Sequence, residues 1–369
     1  MNAMNALNAF PPSLVARIPK VELHCHVAGT LRTQTLAALA AQYGIGLPRP
    51  ADQLYVYRDF YDFIEVLRLV AQVLRTPADF ARVAYEALED AFRLGNVQHT
   101  EMSFNPQYFM PAGASYRAQV DGLAAGIAEA ERDFGVSALL LVAFDREWSP
   151  SSAAETMDLV LANRHERVVG IGLDGPERAG PPATFQAVYR RATQAGLRKT
   201  AHVCEDNQTL AEAPPSHFDD CIELLQCDRL DHGYNLLADA ATVQRARDSG
   251  VFFTTCGVTS VAKNRDRRLK AIRQMADAGL RITLNTDDPA MFHTDMTHTY
   301  QHVLDGLQWG WADASALSLA GVDASWLDDA AKAGLRQRFN DQLAAIAPTL
   351  QPSPNAFNAS NASNATSLS

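Results

Sequence analysis

The chain has 369 residues, 47% hydrophobic and 20% charged, enough to bury a large core and too apolar for a disordered polymer. Its 32 Lys and Arg against 42 Asp and Glu leave a net charge of −10, which repels a nucleic-acid backbone and favours a small uncharged or cationic substrate. Five cysteines without CxxC pairing exclude a disulfide scaffold and a structural zinc knuckle, and no signal-peptide pattern or apolar run of about 18 residues occurs, so a cytoplasmic protein with no membrane partner is expected.

Residues 1–14 are rich in Asn and Ala and read as a disordered extension, with one globular domain over 15–348. The first strand is VELHCHV (21–27), followed by a helical pattern at 33–43. The stretch 55–74 is amphipathic and aromatic and adds helix after that first strand; it reads either as a lid over a mouth or as ordinary packing. The clearest helix is 77–95, opened by Pro77 and closed at Gly95, with Phe80, Val83, Ala84, Ala87 and Leu88 on one face.

Strands are then expected at 97–104, 137–144, 168–174, 198–204, 228–234, 251–257 and 281–287, alternating with helical patterns at 115–133, 152–163, 183–195, 238–249 and 267–278. Eight strands alternating with helices predict an α/β chain folded as a (β/α)8 TIM barrel, whose reaction centre is built at the strand C-termini. Residues 349–369 form a low-complexity tail, expected to be disordered; its N-x-S/T matches at Asn358, Asn361 and Asn364 come without a secretory signal.

Four of these strands end in polar groups suited to a hydrolytic metal centre. VELHCHVAG carries His24 and His26, which two-residue spacing places on the same side of an extended strand. KTAHVCED carries His202 and Glu205, RLDHGYN carries His232, and TLNTDDP carries Asp287 and Asp288. Histidine with a carboxylate is the usual donor set of a hydrolytic zinc site. His99, His165, His217, His293, His298 and His302 fall outside these motifs and read as structural or solvated.

Together, and in this order, the motifs resemble those of the adenosine deaminase family of the amidohydrolase superfamily, over roughly residues 15–340. HCHVAG resembles the family's His-x-His, KTAHVCE its His-x-x-Glu, RLDHG its His-Gly and LNTDDP its paired aspartates. The resemblance implies one zinc ion per chain, held by His24, His26, His202 and Asp287, and a zinc-activated hydroxide that attacks C6 of a 6-aminopurine. It assigns Glu205 as the acid that protonates ring N1, and His232 as the group that orients the water or takes its proton. Asp288 would meet the purine N7 edge and the Gly175 backbone N–H the ring, with His26 also bordering the substrate.

A lysine that would bridge two metals in related barrels is absent from the fourth strand, VVGIGLD, which implies a single-metal site. The P-C-x-x-C pair of the cytidine-deaminase type is absent too. The chain departs from the family at Ala28, where nucleoside-specific members carry an acidic residue reaching the ribose 5′-hydroxyl. Val203 and Cys204 give the purine a bulkier, more apolar wall, and Asp231 resembles the adenine-type branch whereas Gly175 resembles adenosine enzymes. The expected reaction is deamination of adenosine or 2′-deoxyadenosine to the inosine-type product and ammonia. Free adenine or an N6- or 5′-modified adenine is the alternative, a non-catalytic purine-binding protein the third reading, and a homo-oligomer is left open.

Overall fold

A computed structural model describes residues 10–57, 60–259 and 264–347; the expected tail and most of the expected N-terminal extension lie outside them. Residues 10–14, expected within the extension, are among those described. Pro12–Val15 forms a helical turn with Leu14 and Val15 buried, Phe10 packs edge-on against Trp311, and Gln301 Nε2 donates to the Phe10 carbonyl at 3.0 Å. Apolar side chains at Phe10, Leu14 and Val15 supply the burial that the Asn/Ala run cannot.

The strands are β1 (Lys20–His26), β2 (Val97–Phe104), β3 (Ser137–Asp145), β4 (Val168–Asp174), β5 (Arg198–Lys199), β6 (His202–Val203), β7 (Arg229–His232), β8 (Phe252–Cys256) and β9 (Arg281–Asn285). All pair in parallel with their sequence neighbours, β1 through β5 in one run and β6 through β9 in another. The expected strand 198–204 is thus two short pairings, because the chain exchanges its partner there. Thr200 N donates back to Ile171 O on β4 at 3.0 Å, while Ala201 O accepts from Asp231 N on β7 at 2.9 Å. The ring closes between β9 and β1: Asp287 N donates to His24 O (2.9 Å), His26 N donates to Asp287 O (3.0 Å), and Cys25 and Asp287 form a parallel bridge. The result is the (β/α)8 barrel.

The helix Pro77–Gly95 shows why the outer layer forms where it does. Thr76 and Asp79 make a reciprocal capping box, Pro77 fills the first position, and Asn96 ends the helix with left-handed backbone at φ 50°. It packs against Tyr116–Phe134 at close range: a Cβ on Gly126 would fall 2.1 Å from Ala81 O, so only glycine admits this approach. The stretch expected as lid or packing contains the helix Phe60–Val73, with Val66, Leu69, Val70 and Val73 buried. Just before it, Tyr55 donates to Leu31 O and accepts at its own carbonyl from His293, tying 51–57 to the loops after β1 and β9. After β9 come three helices not expected from the sequence: Met296–Leu307, Trp311–Ala324 and Asp329–Ile346. The last two bury Val322, Ala324, Leu335 and Phe339 against Val21 and Leu23 of β1. Among the described residues, no helix is long and apolar enough to cross a membrane.

Candidate active site

The C-terminal strand ends bring together every polar residue singled out from the motifs. Three of these ends turn sharply through left-handed backbone at residues other than glycine: Cys204 (φ 52°), His232 (φ 67°) and Asp287 (φ 68°). Such conformations cost on the order of 1–3 kcal/mol each and persist where surrounding structure holds them, here at the bends that end the strands.

Around that centre His24 Nε2 lies 3.1 Å from His202 Nε2 and 3.5 Å from Asp287 Oδ1. His26 Nε2 lies 3.3 Å from His202 Nε2 and 3.4 Å from Asp287 Oδ1. A regular tetrahedron with such edges has its centre roughly 2 Å from each corner, the length of a zinc–imidazole bond. The outward ring nitrogens are held by acceptors. His24 Nδ1 faces Thr254 Oγ1 at 3.0 Å and Thr254 O at 3.3 Å, His202 Nδ1 faces Asp231 Oδ2 at 3.3 Å, and His26 Nδ1 lies 3.7 Å from Asp174 Oδ2. Thr254 and Asp231 thus offer acceptors to the outward Nδ1 atoms of His24 and His202, while the three Nε2 atoms converge on the inner side, where a metal would be held. Burial and the neighbouring His202 also push His26 down to about 3, keeping it neutral. Burial opposes ionisation of Asp231, but His24, His202 and Arg229 hold its carboxyl well below the usual carboxylate range.

A second close group, His24, His232 and Cys256, shares one imidazole with the first. Burial pushes the Cys256 thiol up to about 12, which leaves it protonated and a poor ligand. The donor set that fits a divalent cation is therefore His24, His26, His202 and Asp287.

Two groups flank this set. His232 is buried with Nε2 3.6 Å from Glu205 Oε1 and its Nδ1 without a hydrogen-bond partner among the described residues. Glu205 lies just beyond β6, where burial raises its carboxyl above the usual value and Arg268 opposes that rise. On the other side, Asp288 is buried, and burial together with Asp287 raises its affinity for a proton strongly. The loop after β1 presses on it so closely that a Cβ on Gly29 would stand 1.9 Å from Asp288 Oδ1. Gly175 follows β4 with φ 79°, and Arg146 ties its carbonyl (3.1 Å) to that of His202 (2.6 Å).

The profile of the adenosine deaminase family matches residues 19–342. The chain belongs to the adenosine deaminase family. It is accordingly a hydrolytic deaminase on the amidohydrolase barrel. The chain is 34% identical to a Cupriavidus taiwanensis protein named adenine deaminase, over 86% of this chain and 90% of that one. An amidohydrolase from Burkholderia ambifaria, solved with zinc bound, superposes with a TM-score of 0.85 at 33% identity, covering 92% of this chain and 94% of the other. The structure of adenine deaminase from Arthrobacter aurescens gives a TM-score of 0.81 at 32% identity, covering 88% and 99%.

Several residues of the site escape a motif reading. Asp174, directly before Gly175 at the end of β4, follows the same strand-end rule as the others and was open to it. Thr254 meets the outward nitrogen of His24 and announces itself only once the strands are aligned; Asp231, singled out in the sequence for its resemblance to the adenine-type branch, takes its place beside His202 Nδ1 the same way. His217, read as structural or solvated, contacts Glu177 Oε2 at 2.6 Å, and Glu177 Oε1 accepts the Glu205 backbone N–H at 3.2 Å. Arg268 stands 63 positions from Glu205 and donates to it at 2.8 Å; no local pattern marks it.

Proposed function

We propose that this enzyme deaminates free adenine to hypoxanthine and ammonia with a single zinc ion held by His24, His26, His202 and Asp287. The observation that carries the metal assignment is the convergence of three inward Nε2 atoms and one carboxylate oxygen, all within 4.8 Å of one another. Zinc, when bound there, supplies Lewis acidity that lowers the pKa of a coordinated water to about 7.

The chain's own residues supply the rest. Glu205 delivers a proton to the ring nitrogen beside the reacting carbon as the water oxygen bonds to that carbon. Of the water's two protons, one replaces that given up by Glu205, and His232, neutral in its buried setting, passes the other to the departing amine, which leaves as ammonia. Asp288, with its raised proton affinity, donates to the N7 edge of the purine, and the Gly175 backbone N–H meets the ring on the opposite side.

Adenine stands ahead of adenosine, the reverse of the order expected from the sequence. Position 28 is a buried alanine, so the loop after β1 offers no carboxylate there for a ribose hydroxyl. The relatives named above that carry a substrate in their names are adenine deaminases. Ammonia release by the zinc-loaded protein from adenine, adenosine, 2′-deoxyadenosine and N6- or 5′-modified adenines tests this reading. The highest kcat/KM is expected for adenine, and a higher value for adenosine overturns the choice.

A further inference from the structure

Glu205 is held in an unusual way for an acid that must give up a proton. Its backbone is fixed on both sides: the N–H donates to Glu177 Oε1 at 3.2 Å, and the carbonyl accepts from Asn235 Nδ2 at 3.0 Å. Its carboxyl meets a buried guanidinium, with Arg268 Nη2 donating to Oε1 at 2.8 Å. Arg268 is 3% exposed, and its own position is determined from three directions. Nε donates to Asp206 Oδ1 at 3.0 Å, Nη1 reaches Cys256 O at 3.5 Å, and the guanidinium sits 5.2 Å from the centre of the Tyr234 ring. Tyr234 in turn is fixed to β8, accepting from Cys256 N at 2.8 Å.

This arrangement divides the labour of the Glu205 carboxyl. A carboxylic acid whose carbonyl oxygen accepts a strong hydrogen bond carries its proton on the other oxygen. Oε1 is taken by Arg268 and faces His232 at 3.6 Å. The planar fork of arginine suits the task, because Nη2 and Nε point at the consecutive carboxylates Glu205 and Asp206 at once. Asp206, which also accepts from Arg267 Nε at 2.8 Å, offsets the charge that Arg268 brings to the acid.

We propose that Arg268 is the positioning residue for Glu205: it anchors Oε1 and dedicates Oε2 to proton transfer with the ring nitrogen of the substrate. The inference rests on the assignment of Glu205 as the acid. Arg268 touches no reacting atom; it acts through the orientation of one carboxyl group, and its loss matters only where Glu205 can transfer a proton.

A double-mutant cycle on the zinc-loaded full chain tests this, with adenine as substrate. Arg268→Met is expected to lower kcat by about 10-fold or more in the native background with little change in KM, and by no more than about 3-fold in the Glu205→Gln background. Equal losses in the two backgrounds, or an unchanged kcat in the single variant, overturn the proposal. Arg268→Lys keeps the charge without the two-pronged reach and is expected to show the same pattern, which covers the case of a poorly folding methionine variant.

Binding gives a second readout that general disruption would not split. The ligands are hypoxanthine and a dihydropurine with an N–H at ring N1 and a tetrahedral, hydroxymethyl-bearing C6. Arg268 variants are expected to bind the tetrahedral compound about 10-fold more weakly while holding hypoxanthine within about 3-fold. Parallel weakening of both overturns the positioning role. The two readings fail separately: a fully active Glu205→Gln enzyme removes Glu205 from the mechanism, whereas a crippled one with an unimpaired Arg268→Met counterpart removes Arg268 alone.

Discussion

Two buried polar clusters occupy opposite ends of this barrel, and they are built on opposite principles. Near the strand N-termini, Glu101 accepts from Arg229 Nη1 at 2.6 Å and from the Trp326 backbone, and lies 3.4 Å from His99 Nε2. Arg229 also donates to Ala324 O and Leu23 O and stacks on the Trp326 ring at 4.1 Å, while His99 Nδ1 meets Ser137 Oγ at 2.8 Å. Opposite charges meet each other there and tie strands to the C-terminal helices. At the other end, three imidazole nitrogens and a carboxylate oxygen crowd together around one point, all within 4.8 Å of one another. Histidine, carboxylate and arginine occur in both clusters, so residue type alone does not separate a structural cluster from a reactive one. The separation comes from whether the polar atoms answer one another or converge on a shared point.

The contrast predicts different failures for the two ends. Arg229→Met strips the buried Glu101 carboxylate of its guanidinium partner and is expected to cost about 3–5 kcal/mol of stability, read as a lowered urea midpoint, with turnover per folded molecule largely kept. An Arg229 variant of normal stability and lost activity would erase the distinction. Glu205→Gln at the other end is expected to keep fold and zinc content while lowering turnover by about 10²-fold or more; near-native turnover removes the acid role.

The same contrast explains what could be read from the chain beforehand. The strands were visible because each is a short β-prone apolar run, and the proposed catalytic groups were visible because they follow those runs directly, as in VELHCHVAG and TLNTDDP. Only the fifth broke the pattern, splitting at Thr200–Ala201 where it exchanges β4 for β7 as a partner. His99 and His202 both end up buried or nearly so within the barrel, yet only the second stands beyond the apolar run of its strand, and that difference is what set them apart in the sequence. Contacts that depend on distant pairing stayed hidden. Thr254 meets His24 across 230 positions and Arg268 meets Glu205 across 63, and no periodicity within a strand or helix records either. The last two helices after β9 were missed because their role is to close the far end against Val21 and Leu23, which no local motif announces.

Smaller effects refine the picture of the reactive end. Thr254→Val removes the acceptor hydroxyl at His24 Nδ1 with little change in volume and is expected to weaken zinc binding by about 10–100-fold, measured by competition with a chelator. Unchanged affinity would show that the backbone carbonyl of Thr254 suffices to orient the ring. Ala28→Asp adds a hydrogen-bonding carboxylate beside the mouth and is expected to raise the adenosine-to-adenine ratio of kcat/KM by up to about 10-fold, the scale of one hydrogen bond. An unmoved ratio would clear position 28 of any part in the choice.

The central claim is that the cluster of His24, His26, His202 and Asp287 exists to hold one zinc ion for hydrolysis. Metal analysis of the purified chain, paired with ammonia release from adenine before chelation, after it and after zinc is returned, tests that claim most directly. The account predicts one zinc per chain, activity lost with the metal and regained with it, and no such recovery in His202→Ala. Full activity in protein shown to hold no metal would contradict it.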